Sequence, residues 1–134
     1  MKRLTIALTL AFSVFFTLGA VSAQAKPASS SVEKIDTDND GTIDLKEIKK
    51  SAENLFTSLE KDSDGTLDAK ELSSKISKKD LKIADPDADG TVSKDELMTY
   101  IESLFKEADT DNDGTIDAKE LKSKQGKKLL KITH

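Results

Sequence analysis

Residues 109–120 read DTDNDGTIDAKE and carry oxygen-bearing residues at positions 1, 3, 5, 7, 9 and 12 of the stretch. A hard cation such as Ca²⁺ takes six to eight oxygen ligands at about 2.3 to 2.6 Å, so a loop of this length must turn sharply to surround one. Gly114 at position 6 permits that turn, because a residue without a Cβ tolerates positive φ. Ile116 at position 8 is apolar and is placed to enter a core. The stretch therefore predicts a metal-binding loop.

The same loop occurs four times, at residues 36–47, 60–71, 85–96 and 109–120, which we call loops 1 to 4. Loops 1 and 4 differ only at position 10, and the pattern is that of the EF-hand calcium loop. This repetition indicates a duplicated pair of loops. We predict metal coordination by all four loops, with each position-7 threonine acting through its backbone carbonyl. The predicted ligands are Asp36, Asp38, Asp40, Thr42, Asp44 and Glu47; Glu60, Asp62, Asp64, Thr66, Asp68 and Glu71; Asp85, Asp87, Asp89, Thr91, Ser93 and Glu96; and Asp109, Asp111, Asp113, Thr115, Asp117 and Glu120.

The N-terminal residues read as a secretory signal peptide. Lys2 and Arg3 precede an apolar run through Val21, and small residues then offer cleavage after Ala23 or after Ala25. A membrane anchor is the alternative, since the run from Leu4 to Val21 approaches the spanning length, but threonines and a serine interrupt it. We therefore expect residues 1–23 to be removed during Sec-dependent export to the periplasm of a Gram-negative bacterium. Since the chain has no cysteine, it lacks a lipoprotein attachment site, and no stable membrane association is expected.

Composition narrows the function classes. Removing Lys2 and Arg3 leaves 19 basic and 25 acidic residues, a net charge of −6, and 20 of those acids lie in the four loops. The acidity therefore belongs to the metal sites, and no basic patch indicates nucleic acid. An enzyme is not expected, because the chain has no cysteine, its single histidine is His134, and no serine lies beside a plausible base. A sensor that exposes a methionine-rich groove is also excluded, because Met98 is the only methionine after the signal peptide.

Apolar residues recur at helical spacing between the loops. They predict one helix from about Asp44 to Leu59 and a corresponding helix between loops 3 and 4. A short lead-in helix is predicted within residues 24–35. Between loops 2 and 3 the apolar stripe is thin, which predicts a break or a capped restart. After loop 4 a further helix is predicted, weakened by Gly126.

The spacing of the loops predicts an all-α, compact helical bundle over residues 36–134. Only 12 or 13 residues separate each loop from the next, so one helix must serve two loops. About 16 residues of helix span about 24 Å, which places consecutive loops at opposite ends of a zigzag. We therefore expect loops 1 and 3 to pair at one end, through short bridges near Ile43 and Val92, and loops 2 and 4 at the other, near Leu67 and Ile116.

The chain resembles the lanmodulins, small periplasmic EF-hand proteins of methylotrophic bacteria that bind lanthanide ions. The resemblance covers nearly the whole mature chain and rests on the loop spacing, on DGTIDLKE and DGTLDAKEL, on the Ser-Lys-Lys-Asp-Leu segment before loop 3, and on DNDGTIDAKEL in loop 4. It implies a helical bundle, pairing of loops 1 with 3 and 2 with 4, and lanthanide binding. One departure is clear: lanmodulins typically carry proline at loop position 2, where this chain has proline only in loop 3, as Pro86.

The number of carboxylates in each loop is evidence on the choice between lanthanide and calcium ions that does not depend on the resemblance. Loops 1, 2 and 4 place five at ligand positions, and loop 3 places four because Ser93 holds position 9. Attraction grows with ion charge times the number of carboxylates, so acidic loops favour a trivalent ion, although calcium loops can also be acidic. The sequence thus predicts a protein that folds on binding lanthanide(III) ions for selective binding, trafficking or storage; the alternative is a periplasmic Ca²⁺ buffer or sensor. Up to four sites are expected, with loop 2 weakened by Glu60, whose extra methylene pushes its carboxylate into the loop.

Overall fold

The computed structural model describes residues 32–133, and the predicted signal peptide, residues 24–31 of the lead-in and His134 lie outside that range. The described chain is mostly helical, with two short antiparallel strand pairs. Within these residues no helix is long and apolar enough to cross a membrane. In chain order the elements are α1 (Val32–Ile35), β1 (Ile43–Asp44), α2 (Leu45–Leu59), β2 (Thr66–Asp68), α3 (Ala69–Leu72), α4 (Lys78–Ala84), β3 (Thr91–Ser93), α5 (Lys94–Ala108), β4 (Thr115–Ile116), a 3₁₀ helix (Glu120–Lys122) and α6 (Lys124–Thr133).

Two long helices each serve two loops, as the spacing predicts. Helix α2 leaves loop 1 and enters loop 2, and α5 leaves loop 3 and enters loop 4; each has 15 residues, or about 22 Å of helix. Their apolar faces pack together, with Ile48, Ala52, Leu97 and Ile101 all fully buried. Lysine–glutamate pairs also join them at the surface, Lys49 with Glu102 and Lys94 with Glu53.

The segment between loops 2 and 3 is broken, also as predicted. Helix α3 ends at Leu72, and α4 begins at Lys78 after the N-cap Ser77, whose hydroxyl accepts a hydrogen bond from the Asp80 N–H. Such a side-chain acceptor satisfies one of the backbone donors that a helix start leaves unpaired. Ile76 is buried between the two helices and anchors the turn. The chain therefore folds back here and does not run on as one rod.

The predicted pairing of loops is wrong. Strand β1 of loop 1 pairs with β4 of loop 4, placing Ile43 opposite Ile116, and β2 of loop 2 pairs with β3 of loop 3, placing Leu67 opposite Val92. The zigzag requires three rigid helical connections, whereas the fold contains two. Because the chain reverses between α3 and α4, loops 2 and 3 meet at one end, and the equal lengths of α2 and α5 bring loops 1 and 4 together at the other.

The C-terminal helix closes the core. Leu129 and Ile132 are buried, and α6 packs against both α2 and α5. The Ser51 hydroxyl on α2 donates a 2.8 Å hydrogen bond to the Thr133 carbonyl, and the Lys128 ammonium on α6 lies 2.6 Å from Oδ1 of Asp80 on α4. Helix α6 thus joins three other helices.

The Lys128–Asp80 pair gives a first prediction. Asp80 is mostly buried, and the hydrogen bonds from Lys128 and then Ser77 lower its pKa below the ordinary value of 3.8. We expect Lys128→Met to lower the free energy of unfolding by about 1–2 kcal/mol at neutral pH, because it leaves a buried carboxylate with one partner fewer. The measurement is urea unfolding with saturating metal, and Lys127→Met, at an exposed position of the same helix, is the matched control.

The pH dependence of that difference follows from the lowered pKa. A carboxylate whose pKa is lower in the folded protein stabilises it fully above the unfolded value, and this contribution is lost as the pH falls through the folded pKa. The cost of Lys128→Met should therefore stay constant between about pH 7 and pH 5. A cost that vanishes within that range, or that Lys127→Met reproduces, would refute the assignment.

Candidate metal centres

The four loops share one backbone conformation. Position 6 is glycine at φ between 84° and 93°, and position 4 also has positive φ, at Asn39, Ser63, Ala88 and Asn112. The left-handed conformation is cheapest for glycine, and Asn39 and Asn112 are of a residue type that also adopts it comparatively often. The turn directs the position-6 N–H back to the carboxylate at position 1. In loop 4 the Gly114 N–H donates to Oδ2 of Asp109 at 3.1 Å.

The middle of each loop is fixed by an aspartate and a threonine. The N–H and hydroxyl of the position-7 threonine both donate to Oδ1 of the position-5 aspartate at 2.7–2.8 Å, as in Thr42 to Asp40. These hydrogen bonds favour the ionised carboxylate, and they lower the pKa of Asp40 in loop 1 and of Asp89 in loop 3. In loops 1 and 3 the position-5 group is therefore held as an anion.

A capping box orients the glutamate at position 12. In loop 1 the Glu47 N–H donates to Oδ1 of Asp44 at 2.7 Å, and the Asp44 N–H donates back to Oε2 of Glu47 at 3.1 Å. Reciprocal bonds of this kind begin α2, α3 and α5, since position 9 is the N-cap and position 12 the third residue of each helix. The cap that starts the helix thus also positions the last ligand.

The residue at position 2 adds a contact that the sequence reasoning missed. In loop 1 the N–H and hydroxyl of Thr37 donate to Oε1 of Glu47, at 2.6 and 3.0 Å, and Thr110 makes the same two bonds to Glu120 in loop 4. Loop 2 has only the backbone bond, from the Lys61 N–H to Glu71 at 3.0 Å. Pro86 has no N–H and makes neither bond. The available signal was the threonine that loops 1 and 4 share at position 2.

The predicted ligands of each loop converge. One carboxylate oxygen from each of three residues lies within 4.8 Å of the others in every loop. Loops 1 and 2 bring together positions 1, 3 and 5, whereas loops 3 and 4 bring together positions 1, 3 and 12. The groups are Asp36, Asp38 and Asp40; Glu60, Asp62 and Asp64; Asp85, Asp87 and Glu96; and Asp109, Asp111 and Glu120.

Burial distinguishes the loop 1–loop 4 end from the other end. Asp36 is 3 % exposed, Asp109 8 % and Glu120 7 %, whereas the corresponding residues of loops 2 and 3 are only partly buried. Oδ1 of Asp36 is buried and has no hydrogen-bond partner. A buried, unpaired carboxylate oxygen is costly unless a cation lies against it. With their all-oxygen donor sets, the loops therefore fit a hard metal ion.

In loops 3 and 4 the position-3 carboxylate lies close to other negative charges. The Asp113 N–H bond lowers the pKa of Asp111, but partial desolvation and the negative charges of Asp113, Glu120 and Asp109 outweigh it, so the net shift is upward. The pKa of Asp87 in loop 3 is raised in the same way. A carboxyl that resists ionisation among like charges gains most when a cation enters.

Loops 2 and 3 differ from the other pair where the sequence does. Glu60 takes the position-1 hydrogen bond, but the Gly65 N–H lies 3.4 Å from its Oε1, longer than the 3.1 Å of the other loops. In loop 3 the Ser93 hydroxyl donates to Oε2 of Glu96 at 2.8 Å. Asp95 at position 11 is exposed. The predicted weakness of loop 2 remains a prediction.

Comparison with known proteins supports the repeat assignment. A family model for the EF hand matches residues 33–50, 79–99 and 101–123, which contain loops 1, 3 and 4. Loop 2, with its glutamate at position 1, lies outside these segments. A search of curated proteins gives no match. The chain carries EF-hand repeats, and together with the acidic clusters they indicate metal binding.

Proposed function

We propose that the protein binds trivalent lanthanide ions at its EF-hand loops and folds around them. The observation that carries the proposal is the burial of Asp36, Asp109 and Glu120 at the loop 1–loop 4 end, with Oδ1 of Asp36 unpartnered. In that pair each loop places five carboxylates at predicted ligand positions, and Asp36, Asp109 and Glu120 are the three that are buried. Coulomb attraction strengthens as the local dielectric constant falls. A higher ion charge therefore increases the binding energy more at a partly buried site than at an exposed loop.

Calcium is the second candidate, and the EF-hand match favours it. Calcium and the lanthanides both take oxygen ligands, so the loop geometry serves either ion. Charge must then carry the discrimination. A divalent ion leaves the five carboxylates of loop 1 or loop 4 at a local charge of −3, whereas a trivalent ion leaves −2. The trivalent ion therefore compensates the carboxylates of these two loops, three of which are buried, more fully.

The remaining parts of the proposal follow from the sequence. Residues 1–25 support export to the periplasm, and the ion-enclosing loops, with no cysteine and only His134 as a histidine in the sequence, support a binding protein and not an enzyme. Metal ions are the proposed partners, with roles in selective binding, trafficking or storage. Nucleic-acid binding and stable membrane association are not part of the proposal.

The test is a folding titration with lanthanum and with calcium in separate buffered series, followed by circular dichroism. We expect lanthanum to drive folding at free concentrations at least about a hundredfold lower than calcium, a difference of roughly 3 kcal/mol. Asp36→Asn should cost more affinity for lanthanum than for calcium, because it removes one buried charge. Asp95→Asn, which alters an exposed acid that is not a predicted ligand, is the control. Folding at comparable concentrations of both ions would assign the protein to calcium.

A further inference from the structure

Helix α6 contacts an element next to every loop. It packs on α2, which joins loops 1 and 2, and on α5, which enters loop 4, and the Lys128–Asp80 ion pair joins it to α4, which enters loop 3. Its own beginning lies against the 3₁₀ helix that leaves loop 4. The polar contacts are Ser51 with Thr133, Asp80 with Lys128, Glu107 with Gln125, and Ser123 with the Gly126 N–H.

At Gly126, helix α6 lies very close to the backbone of Glu120 and Leu121 at the exit of loop 4. A Cβ at this position would clash with the Glu120 carbonyl oxygen and would lie 2.6 Å from the Leu121 Cα. These are backbone atoms, so no side chain can rotate away to make room. The glycine that the sequence marks as a weak point of the helix is thus what lets α6 lie directly on the exit of loop 4.

The exit of loop 4 differs from the other three. Loops 1, 2 and 3 run straight into α-helices, whereas loop 4 enters a 3₁₀ turn that stops at Ser123, after which α6 folds back. Glu120 is also the only position-12 glutamate among the four that is buried. Its carboxylate also belongs to the converging acidic group of loop 4. The backbone of this ligand residue therefore lies directly against α6.

We propose that α6 acts as a clasp on loop 4, so that a docked α6 and an ion in loop 4 stabilise each other. The inference rests on the proposed metal binding and names Gly126 as a positioning residue for Glu120. With α6 docked, the backbone of Glu120 and Leu121 is held from outside, and the ligand loses less freedom when it binds. Coupling of this kind is reciprocal: the ion strengthens docking of α6 by the factor by which docking strengthens the ion's binding.

The test compares metal affinity loop by loop in the full chain. The position-6 glycine amides, at Gly41, Gly65, Gly90 and Gly114, give one NMR signal per loop during a lanthanum titration. Gly126→Ala should weaken loop 4 by at least about tenfold and loops 2 and 3 by less than about threefold, within the range usual for coupled sites. Ser123→Ala, which removes only the acceptor for the Gly126 N–H, should act in the same direction more weakly. Lys127→Ala, on the exposed side of α6, should change nothing.

A second measurement tests the reciprocal effect. Glu120→Gln in metal-saturated protein should raise amide hydrogen exchange in α6, whereas Glu96→Gln in loop 3 should leave it unchanged. Equal weakening of all loops by Gly126→Ala would show a purely structural role and overturn the clasp. If no loop of the parent protein binds lanthanum or calcium, the proposed function itself fails, so the two failures are distinguishable.

Discussion

Removal of the metal with a chelator is expected to abolish roughly half or more of the helical circular dichroism signal, because helices of 15 residues or fewer are marginal in water without tertiary packing. The described core contains only Phe56, Tyr100 and Phe105 as aromatic residues, and no disulfide is available. Four converging groups of carboxylates oppose folding without metal, because like charges repel each other. Three of these carboxylates, Asp36, Asp109 and Glu120, are buried. Metal binding should therefore supply much of the folding free energy.

Charge repulsion as the cause can be separated from a weak core. If repulsion unfolds the metal-free protein, raising the salt concentration should restore part of the helix, since screening weakens interactions between exposed charges. The double variant Asp36→Asn with Asp109→Asn should be more helical than the parent without metal and less stable than the parent with it. Asp95→Asn, which alters an exposed acid that is not a predicted ligand, is the control for a general change of charge. A metal-free parent that is fully helical and melts cooperatively would refute the prediction.

The local structure was predictable because residues within each loop determine its turn and the start of the helix that follows. Glycine at position 6, the acceptor at position 9 and the glutamate at position 12 fix a turn and a helix start over 12 residues, and Asp44 caps α2 where the pattern places it. The break before α4 was equally local, since Ser77 is an N-cap at the edge of a thin apolar stripe. Features set within one turn or one cap are readable from neighbouring residues.

The pairing of loops was not predictable by the same route. The predicted zigzag requires a rigid connection between loops 2 and 3, although the polar residues 77–80 predict a break there. One reversal of the chain at this point exchanges every partner. Ile43 and Ile116 are apolar at position 8 in any arrangement, so their identity carries no information about which two meet. The close contact of Gly126 with Glu120 was hidden for a similar reason. A glycine within a helix reads as a weak point until the backbone that lies against it is known.

Emptying loop 1 should weaken loop 4 more than any other loop. The double variant Asp36→Asn with Glu47→Gln removes the first and last ligands of loop 1, and the strand pair that joins Ile43 to Ile116 transmits the loss of order across the shared bridge. We expect loop 4 to lose about tenfold or more in affinity and loops 2 and 3 less than about threefold, because the coupling free energy between sites belongs to the element they share.

The matched experiment at the loop 2–loop 3 end is expected to give the corresponding result. Glu60→Gln with Glu71→Gln should weaken loop 3, across the bridge from Leu67 to Val92, and should leave loop 4 nearly unchanged. Each double variant is titrated with lanthanum, and the NMR signals of the four position-6 glycine amides give the affinity of each loop. Helix α2 connects loop 1 directly to loop 2, so a greater loss at loop 2 would mean that coupling travels along helices and not across strands. A greater loss at loop 3 would instead restore the pairing that the spacing alone suggests, and would contradict the strand register of this fold.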